Sequence, residues 1–239
     1  MFFSLALLIG VFSRRIILLK RKRAVVEEDV EETPVEEASK RPKKIAASVL
    51  EEVEGLCAKG ENFLKIGNDE EAIKCFVQAL ALDEFHHETQ HKLAVLYLQK
   101  QMYSAAAALF RQLAEATADP VHYSHLGLAL YQQSSYEESL EAYQKAVDLD
   151  GSRPKRFISL AQVYRALGKL NHAAIALGKA MELDQENLDI IFLLAEIQVE
   201  LGETDEARLL LAKLLSLEPE HMEAKALMEA LSANQSAQQ

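Results

Sequence analysis

At 239 residues the chain has room for one or two domains, and with no Trp, seven Tyr and nine Phe it is poor in the rings that fill one large core. Its net charge of −11 hides an asymmetry: residues 1–23 carry six positives and no acid, which leaves −17 for the remaining 216 residues. An acidic body excludes nucleic acid as a partner, because phosphates need a basic face. Cys57 and Cys75 lie eighteen apart on different predicted helices. That spacing is neither a disulfide framework nor a zinc knuckle, and it fits a reducing compartment.

Residues 2–12, FFSLALLIGVF, are almost purely apolar and are followed by Arg14, Arg15, IILL and KRKR. About thirteen residues precede the first Arg, roughly 20 Å of helix at 1.5 Å per residue, where a membrane span needs about 20 residues. Three readings fit. The segment is a short signal-anchor whose Arg14 and Arg15 reach the headgroups, an interfacial segment held by its basic flank, or the end of a longer span. A cleaved signal peptide is disfavoured, since no basic residue precedes the run and no small-x-small site follows it. Residues 1–23 are therefore expected to be a membrane anchor, and the positive-inside rule puts everything after KRKR in the cytoplasm. Residues 24–44 hold seven acids, then four bases, with Pro34 and Pro42, and are expected to be a charged flexible linker.

From Ile45 the pattern turns helical, and within residues 121–150 it reads as two amphipathic helices around a polar turn, Gln132 to Ser135. The hairpin recurs. A small residue opens the second helix at Ala72, Ala106, Ser139, Ala173 and Ala207, with gaps of 34, 33, 34 and 34. Four positions on come Phe76, Phe110, Tyr143, Leu177 and Leu211, and three further Ala79, Leu113, Ala146, Ala180 and Leu214. First helices carry Leu93-Ala94, Leu126-Gly127, Leu160-Ala161 and Leu194-Ala195, with the departure Lys59-Gly60 in the first unit. Pro120 and Pro154 suit helix starts, and Gly67, Gly168 and Gly202 sit in the turns within units.

This pattern resembles the tetratricopeptide repeat (TPR), whose signature over about 34 residues is Leu-Gly, Tyr, Ala, Phe, Ala and Pro. The resemblance implies an all-α, right-handed solenoid over 45–232, with units near 53–86, 87–119, 120–153, 154–187 and 188–221. A capping helix follows at 222–232 and a polar tail at 233–239.

One motif points to chemistry. His87-Glu88-Thr89-Gln90-His91 matches H-E-x-x-H, in which two His on one helical face bind zinc and the Glu is a general base. A catalytic zinc needs a third protein ligand, and Ala94 and Tyr97 stand where the extended motif has Gly and His. His122 and His125, opening the next unit, are the remaining candidates. A zinc-dependent hydrolase is kept as the alternative from a different class, while the expectation is no catalytic residue, no metal, no cofactor and no small-molecule substrate.

In TPR arrays the first helices line a concave groove, so the resemblance implies a protein or peptide partner. The residues expected to face it are His91, Val95, Leu98, Ser124, Leu128, Tyr131, Ile158, Gln162, Arg165, Phe192, Glu196 and Val199, with Cys57, Glu61 and Leu64 in the first unit. Cys57 and Glu61 stand where TPRs that grip chaperone carboxylates carry Lys and Asn, which argues against that role. Apolar residues in the middle of this face suit an amphipathic helix or an extended apolar segment. The chain resembles bacterial inner-membrane TPR proteins most, which implies a membrane-anchored adaptor with its array on the cytoplasmic side; an extracytoplasmic array serving envelope or appendage assembly is the alternative.

Overall fold

Helix starts and stops along the described chain follow local chemistry. The computed structural model describes residues 46–236; the expected anchor, 1–23, and linker, 24–44, lie outside them. Eleven α-helices and no strand are found among the described residues. They pair as α1 (Ala47–Lys65) with α2 (Asp69–Leu82), α3 (His87–Gln99) with α4 (Tyr103–Thr117), and α5 (Pro120–Gln132) with α6 (Tyr136–Leu149). Next come α7 (Pro154–Ala166) with α8 (Leu170–Leu183), α9 (Leu188–Leu201) with α10 (Thr204–Leu217), and a closing α11 (Met222–Ser236). This is an all-helical solenoid of five hairpins and a cap. The last helix runs four residues past the expected 232, because Ala233 to Ser236 extend it without a break.

Each turn within a unit uses one device. A residue in the left-handed region follows the first helix, and the next N–H bonds back to the carbonyl five positions earlier. These bonds are Asn68 N–H to Phe63 O, Met102 to Tyr97, Ser135 to Leu130, Lys169 to Tyr164 and Glu203 to Gln198, at 2.8–3.0 Å. Gly67, Gly168 and Gly202 supply the positive φ in three units, but Gln101 (φ 60°) and Ser134 (φ 61°) adopt it in the other two. Between units, the acid that closes three of the second helices turns the chain: Asp83 accepts from Phe85 N–H and Asp150 from Ser152 N–H, while Asp184 accepts from the Asn187 side chain. The second unit lacks that acid and turns through Ala118 at φ 51°. Its link is correspondingly short, and this is where the 33-residue spacing falls.

Packing explains the repeated residue types. Ala72, Ala106, Ser139, Ala173 and Ala207 are fully buried where the paired helices touch. A Cβ on Gly127 would lie 2.7 Å from the Tyr143 ring, and one on Gly60 would lie 2.7 Å from Phe76. Ser139 keeps its hydroxyl in this dry contact by donating to Gly127 O at 2.7 Å. Leu126 packs on Ala94, Phe110 and Leu113 of the preceding unit. Lys59 departs from that pattern and is exposed, since no described unit precedes its own. At the far end α11 closes the array by burying Ala224 and Leu231 with Leu211 and Leu214. The acid pairs Glu70-Glu71 and Glu137-Glu138 lie in first turns, favourable to the helix dipole. Glu51-Glu52 sit a turn into α1 instead, because that helix begins at Ala47.

Candidate partner-binding groove

The helical period places Ser124, Leu128 and Tyr131 on one face of α5, which looks across at the first turns of α7. Between them lies a cleft of about 540 Å³. Its apolar side is Leu128, 37% exposed, with Tyr131, whose ring lies 5.4 Å from that of Tyr136. Tyr143 forms part of the wall, and its phenol is pushed up to about 12 by burial. The opposite wall is Arg153, Lys155, Arg156, Ser159 and Gln162. A second cleft of about 650 Å³ opens between α7 and α9, walled by Ile158, Phe192, Leu193, Asp184, Asn187 and Asp189. Lys155 and Gln162 line both clefts, so the two are contiguous. A small third pocket, lined by Ile158, Gln162 and Arg165 among others, adjoins them.

Repeat-family models match the chain over residues 57–120, 92–154 and 165–231, each described as a tetratricopeptide repeat. The chain belongs to the tetratricopeptide repeat family. Solved TPR structures share its fold. A MamA protein is 20% identical with a TM-score of 0.68, covering 72% of this chain and 95% of its own. YrrB, described as a TPR protein with an unusual peptide-binding site, is 19% identical with a TM-score of 0.66, covering 78% and 98%. MamA 41-end from Desulfovibrio magneticus RS-1 is 17% identical with a TM-score of 0.66, covering 72% and 97%. At such identities the likeness establishes fold alone. No curated protein matches the chain.

Within the TPR array, the residues expected to form the groove divide into two groups. Ser124, Leu128, Tyr131, Ile158, Gln162, Arg165 and Phe192 come together along the contiguous clefts. Several others are taken up by packing. Val95 and Leu98 lie against the core of the second and third units, and Val199 against that of the last. Glu196 bonds Arg165 at 3.4 Å, and Glu200 holds the other arm of the same guanidinium. Phe192 is partly covered by the His221 ring, 5.3 Å away. In the first unit the expectation fails: Cys57 is buried with its thiol 2.6 Å from Thr89 Oγ1, Glu61 pairs with Lys92, and Leu64 packs into the core. The second unit covers Cys57, covers Leu64 in part and pairs with the half-exposed Glu61, which a one-helix projection cannot reveal.

His91 belongs to neither group. It stands among aromatic rings, 5.2 Å from His122, 5.9 Å from His125 and 6.0 Å from Phe110. Nδ1 of His91 and Nδ1 of His125 are buried without hydrogen-bond partners among the described residues. Burial, and then the charges of His91, His122 and Lys155, hold the His125 imidazole below its usual 6.5. His122 is lowered chiefly by burial, against the pull of Asp119. His87 is exposed in the first turn of α3, Thr89 is buried against Cys57 and His86, and Glu88 pairs with Lys92. The H-E-x-x-H residues thus serve helix capping and inter-unit packing, and among the described residues no three His, Cys, Asp or Glu are placed to hold a metal ion.

The sequence reading missed Arg153, Lys155, Arg156 and Ser159 on one wall, and Asp184 and Asp189 on the next. A signal was present for Arg153, Lys155 and Arg156. SRPKR, residues 152–156, is a dense basic run in an acidic array, and it opens a helix, where acids are the favoured charge.

Proposed function

We propose that this TPR protein is a non-catalytic adaptor. It holds a peptide or helix of a protein partner in the clefts between α5, α7 and α9. The observation that supports it is the pair of contiguous clefts with part-exposed Leu128, Tyr131, Ile158 and Phe192. Apolar side chains left open to water beside polar groups are what a peptide-binding groove presents. No described helix is long and apolar enough to cross a membrane. The apolar run and basic flank of residues 1–23 support attachment through that segment, with the array proposed on the cytoplasmic side of a bacterial inner membrane.

The test is site-specific photocrosslinking from Tyr131 in the full-length chain, in cells. A partner captured there, and lost on Leu128→Ala with unchanged melting temperature, is the expected outcome. In contrast, Leu126→Ala removes a core side chain and costs about 2–5 kcal/mol of stability. Loss of the partner only in proportion to unfolding would sink the groove assignment. A reporter fused after residue 44 reads the side of the membrane.

A further inference from the structure

We propose that the cleft between α5 and α7 selects an extended peptide carrying an acidic side chain beside an apolar one. The carboxylate lies against Lys155 and Arg153, and the apolar side chain on Leu128 and Tyr131. This rests on the adaptor reading and gives the partner its chemistry.

Charge carries the inference. Residues 45–239 hold sixteen Lys and Arg against thirty Asp and Glu, so most of the array surface is acidic. Yet this cleft is lined by Arg153, Lys155, Arg156 and His125, and among the described residues by no Asp or Glu. The three permanent cations are not equivalent. Arg156 is 6% exposed, and its Nη1 is taken by the Asp150 carbonyl at 2.7 Å and the Asp150 carboxylate. Hydrogen bonds from Ser152 and Arg156 hold that carboxyl well below the usual range, so it stays ionised and spends its charge on Arg156. Arg153, with its side chain 71% exposed, stands 3.7 Å from the same carboxylate in a loose, water-screened pair. Lys155 has no ion pair among the described residues. One carboxylate cannot neutralise three cations, and the surplus faces the cleft.

The surroundings choose the kind of anion. Ser124 gives its hydroxyl proton to Pro120 O, so the cleft has no ring of donors converging on one point, as a free phosphate would need. It offers instead cations on one wall and apolar side chains on the other, spaced for a chain that carries both kinds of group. Beyond Lys155 and Gln162 the same groove continues past Ile158 and Phe192 to Asp184 and Asp189. A peptide running along it meets positive charge, then apolar surface, then negative charge. An acidic residue at one end of an apolar core motif matches that order.

The test is selection of random twelve-residue peptides on the immobilised full-length chain, followed by affinity measurement on a synthesised winner. Winners are expected to carry Asp or Glu beside an aliphatic or aromatic residue and to weaken with added salt. Arg153→Glu with Lys155→Glu, both at exposed positions, should weaken the winner about tenfold, while the same peptide with Lys in place of its acid should regain binding to that variant. Winners that need Leu128 and Tyr131 but show no acidic enrichment, or ignore the charge reversal, overturn the charge inference and leave the adaptor standing. Winners indifferent to Leu128→Ala and Tyr131→Ala overturn the groove itself, and an empty selection counts against both.

Discussion

Replacing Gly127 by Ala sets two opposed effects against each other, and the structure decides the sign. In a helix interior Gly→Ala gains about 1 kcal/mol from backbone propensity alone. Gly55 and Gly178 are helical glycines with nothing within 4 Å of an added Cβ, so Gly55→Ala and Gly178→Ala should each show that gain. At Gly127 the added carbon would meet three ring atoms of Tyr143 at 2.7, 2.8 and 2.9 Å. The ring is buried against Leu160 and its neighbours in the next unit, so it cannot swing aside freely. Overpacking of this kind costs about 1–3 kcal/mol, which leaves a net loss of about 1 kcal/mol. The gap between Gly127→Ala and Gly178→Ala should therefore be about 2 kcal/mol. Urea denaturation of the full chain, with hydrogen exchange to localise the change because arrays need not unfold in two states, measures it. Since Tyr143 also lines the cleft, Gly127→Ala should weaken partner capture beyond its effect on stability. Equal stability of Gly127→Ala and Gly178→Ala would refute the close-approach argument.

Two further outcomes follow from the turns and the histidines. Gln101 and Ser134 hold left-handed backbone without being glycine, so Gln101→Gly and Ser134→Gly should each stabilise by up to about 1 kcal/mol; unchanged urea midpoints would count against strain there. His122 and His125 are held below 6.5 by burial. The unfolded chain therefore binds the more protons, and stability is full above about pH 6.5 and lost as pH falls through the lower folded values. Asp119 opposes this, while His91, His87 and Lys155 reinforce it. Melting temperature should fall on acidification, and less so in His125→Gln; identical acid profiles would refute the assignment.

Sequence alone determined the fold of this protein, because each structural demand leaves a mark that repeats. A helix pair in close contact needs a small residue where the helices touch, and Ala72, Ala106, Ser139, Ala173 and Ala207, all fully buried, record that need five times over. Lys59, which broke the pattern, marked the edge of the described array. The left-handed backbone of the turns was legible only where glycine spelled it, since Gln101 and Ser134 adopt it without that signature.

The groove was half legible. Helical period put Leu128, Tyr131, Ile158 and Phe192 on the faces that line the clefts, because a face is a property of one helix. Accessibility is a property of neighbours. Only tertiary structure showed that Cys57 and Leu64 are covered by the next unit and that Arg165 is held by Glu196 and Glu200. It likewise set the cations of α7 across from α5, which chain order could not do, since that pairing depends on how one unit stacks upon the next.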